Sequence, residues 1–275
     1  MDVTIRSLET LAEVRAVEVL QRQAWAMPDD LEVVPLHLLV TAQRNGGLLL
    51  GAFDGESLVG FVFGFPGLTV EGRAKHCSHM MGVAPAYQSL GVGYQLKLAQ
   101  RAHALEQGFD LVTWTYDPLE SRNAYLNLHK LGGVCRTYIR DYYGPMADGL
   151  NRGLPSDRFQ MEWWISDERV QRRLAGKAIP IISEPVAQAH VPRETAAGLL
   201  APGDLALDAD APYAQVEIPA DYQAIKAADP ALGLEWRLAM REVFEAYLAG
   251  GYTILDFVSR LVEGERHSFY LLCRG

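Results

Sequence analysis

Cysteine is scarce in this chain: three in 275 residues, at positions 77, 135 and 273. They are too few and too scattered for a disulfide framework or a metal-ligand spacing. Cys77 and Cys135 fall in strand-like runs and read as buried, reduced thiols. No apolar run approaches the ~18 residues that a membrane span needs. The opening residues Met1-Asp2-Val3-Thr4-Ile5-Arg6 lack the basic and apolar regions of a signal peptide. A cytoplasmic location is therefore expected. Basic charge is also in deficit, with 25 Lys and Arg against 34 Asp and Glu, a formal net charge of −9 and a pI near 5.3. General binding to nucleic acid or an anionic membrane needs a basic face, so both are set aside as partners. What is present, 49% hydrophobic and 21% charged residues, is ordinary for a soluble globular protein. The length allows one good core and a second small domain.

Chemistry concentrates in Val83-Ala84-Pro85-Ala86-Tyr87-Gln88-Ser89-Leu90-Gly91-Val92-Gly93-Tyr94. A strand-like run (77–83) precedes it and a helix-like run (94–107) follows it, with Leu98, Ala102 and Leu105 as the helix's apolar face. Gln-x-x-Gly-x-Gly between strand and helix aims successive backbone N–H groups at one spot. Glycine lets the backbone approach closely, and the helix N-terminus adds positive potential. That arrangement suits a pyrophosphate. No Gly-Lys-Ser/Thr follows, which excludes a Walker A loop, and position 96 is leucine where the dinucleotide fingerprint needs a third glycine. The competing reading is a plain strand-to-helix turn that uses glycine for its φ angles.

A second block runs from Leu111 to Gly144. Leu111–Tyr116 has a central-strand composition, and Asp117-Pro118 stops it. Ser121 is placed to cap a short helix over 122–131 that Gly132-Gly133 closes, and another strand is expected over 134–143. Together, Gln88-x-x-Gly91-x-Gly93 and this strand, helix with early Asn123, Lys130-Leu131-Gly132, strand order resemble the GNAT N-acetyltransferase superfamily. The stretches Trp114–Asn123 and His129–Gly132 resemble a bacterial subfamily of acyltransferases. Some of its relatives are similar to amino-acid N-succinyltransferases or N-acetyltransferases.

The resemblance implies an α+β GNAT fold: a mixed, largely antiparallel sheet flanked by helices, with one parallel strand pair splayed to admit the cofactor. The element order agrees. A strand at 3–7 precedes a helix over 9–27 and an apolar, helical patch over 34–42. Strands at 48–53 and 58–63 are joined at Asp54-Gly55, a favoured hairpin turn. The acyltransferase core is expected over 1–165, ending in the strand Asp157–Ile165, whose adjacent Trp163 and Trp164 read as edge or interface packing. Residues 166–275 form a small α+β C-terminal region, possessing an irregular connector over 176–212 and then strand, helix (233–249) and two strands. It reads as a degenerate second GNAT-like half, or as an extension that completes the first sheet; the favoured reading is a small region that packs on the core and helps shape the acceptor pocket.

By resemblance the activity is transfer of an acetyl or succinyl group from its coenzyme A thioester to an amine by direct attack, with acetyl-CoA or succinyl-CoA as co-substrate and no metal. Met81, Gly82 and Val83 are expected to pair with the pantetheine arm. The N–H groups of Gln88, Ser89, Leu90, Gly91, Val92, Gly93 and Tyr94 take the pyrophosphate, helped by Lys97 or Arg101, and Asn123 bonds the pantetheine. His79, Asp117 and Glu120 are the candidate bases. Period-two alternation puts His79 on the face of Met81 and Val83, and His76 on the other. Asp117 and Glu120 alternatively read as solvated loop carboxylates that cap the next helix. Arg122 offers a guanidinium fork to a substrate carboxylate, which makes a small amino acid or similar amine the expected acceptor. One position departs from the family pattern. Leu128 stands where many members have the tyrosine that protonates the thiolate, leaving Tyr125, His129 or water for that task. A non-catalytic CoA-binding or sensing module is the alternative this departure supports. Oligomeric state stays open, with a homodimer among the options.

Overall fold

The computed structural model describes residues 3–146, 148–149, 152–177, 186–208 and 210–275. They form two compact units. The first comprises Met1–Trp114, Ala147–Arg152 and Trp164–Ser166, and the second Thr115–Met146, Gly153–Trp163 and Asp167–Gly275.

In unit 1 the strands run in the order β1 (Thr4–Ser7), β2 (Leu48–Asp54), β3 (Ser57–Leu68), β4 (Ala74–Val83), β5 (Leu111–Tyr116, of which Leu111–Trp114 lie in this unit). All neighbours pair antiparallel except β4 and β5, which are parallel. The β2–β3 turn is the expected Asp54-Gly55 hairpin, with Gly55 at φ +59°. Helix α1 (Leu11–Trp25) begins in a capping box, Thr10 accepting from the Glu13 N–H while Glu13 accepts from the Thr10 N–H. It buries Val14, Val17 and Leu20 with α2 (Leu36–Arg44) against Phe61 and Phe63 of β3, whereas Leu11 stays exposed. The other sheet face packs Leu50, Val62, Met81 and Val83 against Val92 and Leu96 of α3 (Val92–Glu106).

The buried stripe of α3 is Val92, Leu96, Lys97, Gln100 and Ala104, not the expected Leu98, Ala102 and Leu105 face. Hydrophobic periodicity misplaces this face because two of its buried side chains are polar and satisfied internally. Lys97 donates to Ser78 Oγ (2.8 Å) and Gln100 contacts His76 Nε2 (3.1 Å).

Unit 2 has strand order β7 (Arg158–Trp164), β6 (Val134–Ile139), β12 (Tyr252–Val262), β13 (Glu265–Arg274), β11 (Tyr213–Ile218), β8 (Val186–Gln188), antiparallel except β11 with β8. Before β6, α4 (Ser121–Ala124) continues as a π-helical turn over Tyr125–Lys130. The connector lies partly outside the described residues, at 178–185 and 209. The rest carries β8 and a small pair, β9 (Arg193–Glu194) with β10 (Leu200–Ala201). Helix α5 (Glu168–Leu174) precedes it. A helix the sequence reading missed, α6 (Tyr222–Ala228), precedes α7 (Pro230–Ala249). The latter opens on Pro230 with Asp229 accepting from the N–H groups of Ala231 and Leu232. Its stripe of Trp236, Met240, Phe244 and Tyr247 is buried, and Phe244 meets the Phe159 and Tyr270 rings at 4.7 and 5.2 Å. Trp163 is not an edge residue: it is fully buried and its Nε1 donates to the Leu131 carbonyl (2.8 Å). Trp164, in unit 1, has the Arg73 guanidinium over its ring.

Candidate active site

In unit 1, β4 and β5 are joined by only two rungs among the described residues, His76↔Val112 and Cys77↔Thr113. Beyond them β4 keeps its antiparallel partner β3 on one edge, with Val62↔Met81, Phe61↔Gly82 and Gly60↔Val83, while its other edge has left β5. Strands that diverge in this way leave alternate backbone N–H and C=O groups without a ladder partner. Met81, Gly82 and Val83 lie on that stretch. Gly82 is glycine for packing: a Cβ there would stand 2.7 Å from the Phe61 ring and 3.2 Å from Trp25.

The chain then turns through a 3₁₀ turn at Pro85–Tyr87, pinned by Tyr87 O–H donating to Asp54 (2.7 Å). Gln88 folds back, its amide donating to the Val83 carbonyl (3.2 Å). Ser89 and Gly91 take positive φ, +64° and +88°, and Gly91 is the N-cap of α3. This reversal brings the loop onto the helix axis, where the N–H groups of Val92 and Gly93 have no intrahelical acceptor and the dipole favours an anion. Leu90 is exposed and Tyr94 half-buried in the first turn. A Cβ on Gly91 would meet nothing within 4 Å, and one on Gly93 only the ends of Met81 (3.3 Å) and Val83 (3.9 Å). Neither glycine is required by protein packing, so the space above the loop is open.

The two cations expected to assist are turned elsewhere. Lys97 is buried against Ser78, Gln100 and Trp114, and Arg101 gives Nε and NH2 to the Ile165 carbonyl (2.9 and 2.7 Å). Their side chains satisfy the interior, which leaves loop amides and the helix terminus to meet an anion.

His79 is not on the face of Met81 and Val83. The β3–β4 register shifts between Phe63 and Gly64, and the bulge falls at His79. Alternation therefore slips: His76 and Ser78 share the α3 face with Met81 and Val83, while the exposed His79 ring lies against Phe63 and Phe65 at 5.8 and 5.9 Å. Contact with those rings desolvates the imidazole and lowers its pKa.

The remaining candidates belong to unit 2. Asp117 and Glu120 are not solvated caps; α4 has no side-chain cap, and Ser121, expected to provide it, donates instead to the Ala220 carbonyl (2.6 Å). Asp117 is buried, its Oδ1 taking the Leu119 N–H (2.8 Å) and Arg237 NH1 (2.8 Å) while Oδ2 takes Arg237 NH2, with Arg158 3.7 Å away. Burial pushes its pKa up, but the Arg237 charge and hydrogen bonds outweigh this and hold the carboxyl below its ordinary range. Glu120 behaves oppositely. Half-buried, it has its pKa raised by desolvation and by the Asp117 charge, against one donor, Gln223 of α6. Arg122 and Asn123 are exposed on the first turn of α4. Leu128 is fully buried; Tyr125 stacks on His129 at 4.7 Å, and His129 Nδ1 lies 3.2 Å from Asp256.

Sequence reasoning missed Lys97 with Ser78, and the partners Gln223 and Arg237. The first had a signal, a lysine and a glutamine three apart on a helix facing a strand with His76 and Ser78. The second had none, since Asp117 and Arg237 are 120 residues apart.

Residues 14–132 match the family model described as "Acetyltransferase (GNAT) family". They belong to the GNAT acetyltransferase family. The GNAT architecture is the mixed, mostly antiparallel sheet with helices described above, and the activity of the family is acetyl transfer from coenzyme A to an amine. No curated protein matches the sequence. Among solved structures, the ribosomal-protein-S18-alanine N-acetyltransferase of Escherichia coli aligns over 60% of this chain and 96% of its own, at 20% identity and TM-score 0.47. The Salmonella typhimurium protein yncA with its cofactor acetyl-CoA aligns over 61% and 96%, at 17% identity and TM-score 0.48. An acetyltransferase of the GNAT family from Streptococcus pneumoniae aligns over 58% and 98%, at 15% identity and TM-score 0.45.

Proposed function

We propose that this GNAT protein acylates the amine of a small acceptor carrying a carboxylate, such as an amino acid, with acetyl-CoA or succinyl-CoA as donor. The observation that carries the proposal is the pair Glu120 and Arg122, two residues apart on one turn. One is a half-buried carboxylate whose pKa is raised by desolvation and the Asp117 charge, the direction that strengthens a base; the other is an exposed guanidinium whose fork matches a carboxylate. Asp117, with both oxygens committed to Arg237 and the backbone, serves better as the anchor of this turn than as a base. His79 is the second candidate base, since its exposed ring is able to meet a solvent-borne amine. For the cofactor, the open space over Gly91 and Gly93 supports pyrophosphate at the N–H groups of Gln88 to Tyr94. The unladdered edge of β4 supports pantetheine along Met81, Gly82 and Val83. The residues 166–275 contribute Gln223 and Arg237, which hold Glu120 and Asp117, and this supports a region that shapes the acceptor side of a 1–165 core.

The test is kinetic. Arg122→Ala should raise the acceptor KM much more than the acyl-CoA KM, and Glu120→Gln should lower kcat and remove a pH-rate limb. Unchanged acceptor kinetics in Arg122→Ala would remove the carboxylate assignment. A second reading, a CoA-binding module without turnover, has Leu128 in its favour: a fully buried aliphatic side chain has no proton to give a thiolate.

A further inference from the structure

Beneath the divergence of β4 and β5 lies a buried polar cluster for which neither the pyrophosphate loop nor the candidate bases account. Ser78 is the first β4 residue past the last β4–β5 rung, and Trp114 is the corresponding residue of β5. Lys97 of α3 reaches between them. Its Nζ donates to Ser78 Oγ (2.8 Å) and Gln100 Oε1 (3.1 Å) and stands 3.7 Å from the Trp114 ring centroid. Lys97 and Ser78 are 2% and 5% exposed, and no carboxylate lies within ion-pair distance of Lys97 among the described residues. An ammonium buried without a counter-ion is costly, and fold stability alone gives no reason to keep a lysine where methionine has the same length.

The place of this cluster gives it a task. The pyrophosphate loop begins just after Val83, so an arm laid on the free edge of β4 runs from Val83 past Met81 toward the closed end of the split. A group at its inner end would lie beside Ser78, the first β4 residue past the last rung. Because the Ser78 oxygen accepts from Lys97 and has no other partner among the described residues, its own O–H is available to donate.

We propose that Lys97, acting through the Ser78 hydroxyl, supplies the proton that the departing coenzyme A thiolate takes. This rests on the acyltransferase reading above and deepens it. As the carbon–sulfur bond breaks, sulfur keeps the electron pair and accepts the Ser78 proton. Ser78 takes a proton from the Lys97 ammonium, leaving free CoA thiol and a neutral lysine. The acceptor, arriving as an ammonium, sheds two protons on becoming an amide; one reloads Lys97 through solvent and the other is released, so the reaction releases one proton overall. Desolvation lowers the Lys97 pKa from 10.5 to about 7, which lets the ammonium give up its proton readily near neutral pH. The titratable group facing it is His76 of β4, held neutral with a pKa of about 4 by burial and by the His103 and Lys97 charges; His103 of α3 lies against that ring, with 6.4 Å between centroids. Trp114 of β5 adds no charge. The relay stands in for the tyrosine that Leu128 replaces.

Two measurements on the full chain test this. In the first, wild type, Lys97→Met, Lys97→Arg and Ser78→Ala are compared for acetyl-CoA turnover across pH. The expected result is a fall of kcat on the order of 10–100-fold in all three variants, with the acetyl-CoA KM within about twofold. The wild-type fall of kcat on the alkaline side should vanish in Lys97→Met. In the second, free CoA is bound and its thiolate absorbance is followed against pH, with desulfo-CoA as blank. The bound thiol should titrate below free CoA in wild type and return toward it in Lys97→Met, a readout independent of turnover. Equal kcat and equal thiol titration in wild type and Lys97→Met, with the variant folded by its melting curve, would overturn the relay. A wild type that binds no CoA would overturn the acyltransferase reading and the relay with it. A wild type that binds CoA and turns over with neither effect overturns the relay alone.

Discussion

Gly93→Val separates the role of the loop in the fold from its role toward a ligand. Gly93 is in the first turn of α3 at negative φ, and an added Cβ meets only the Met81 thioether end at 3.3 and 3.7 Å and Val83 at 3.9 Å. Methionine yields at little cost and valine is no poorer a helix former than glycine, so the loss of stability should stay within about 1 kcal/mol, mostly crowding against Met81. Toward pyrophosphate the same atoms occupy the space from which the Val92 and Gly93 N–H groups act. Losing two charge-assisted hydrogen bonds, at roughly 1.5–3 kcal/mol each, comes to roughly 3–6 kcal/mol. At about 1.4 kcal/mol per decade, CoA affinity should fall by two to four orders of magnitude. Gly91→Val is the contrasting variant. Its Cβ meets nothing, but φ +88° is strained for valine, so it should cost about 1–3 kcal/mol of stability as well as affinity. Isothermal calorimetry with CoA, beside denaturant melts, reads both quantities. Unchanged CoA affinity in folded Gly93→Val would refute the pyrophosphate assignment.

Other outcomes follow from the buried charges. Arg237→Met leaves the buried Asp117 with the Leu119 N–H and, as cation, only Arg158 3.7 Å away, and should destabilise the protein by about 3–5 kcal/mol in urea melts; a loss below about 1 kcal/mol would contradict the pairing. His76 takes a proton near pH 6.5 when unfolded but only near pH 4 when folded. Unfolding therefore gains protons as pH falls through that window, and stability should drop by roughly 3 kcal/mol between pH 6.5 and 4. His76→Gln should flatten that part of the stability–pH curve, and an equally steep curve in the variant would assign the acid sensitivity elsewhere. Gly82→Val drives a side chain into the Phe61 ring at 2.7 Å and should destabilise unit 1 by about 1–3 kcal/mol without touching the loop; a melting curve like that of wild type would contradict the close packing there.

Much of unit 1 was legible because its signals are local. Asp54-Gly55 specifies a hairpin, Thr10 with Glu13 a helix start, and Gln88-x-x-Gly91-x-Gly93 a strand-to-helix reversal, each within a few residues. Reading failed where tertiary satisfaction replaced local rules. The bulge at His79 inverted the faces of β4, because alternation counts residues and cannot see one that is left out of the ladder. The α3 face was misread because Lys97 and Gln100 are buried through partners on β4. Ser121 suits a helix cap by composition, yet its hydroxyl serves the Ala220 carbonyl, 99 residues away. Asp117 and Glu120 look alike as loop carboxylates. Their opposite pKa shifts come from Arg237 and from burial, which only the folded chain supplies.

The most direct test of the account is thiol release from acetyl-CoA and succinyl-CoA by the full-length chain over a panel of amines and amino acids. The account predicts CoA release that depends on a carboxylated amine and is lost in Gly93→Val. Tight CoA binding with no thiol release across the panel would contradict it.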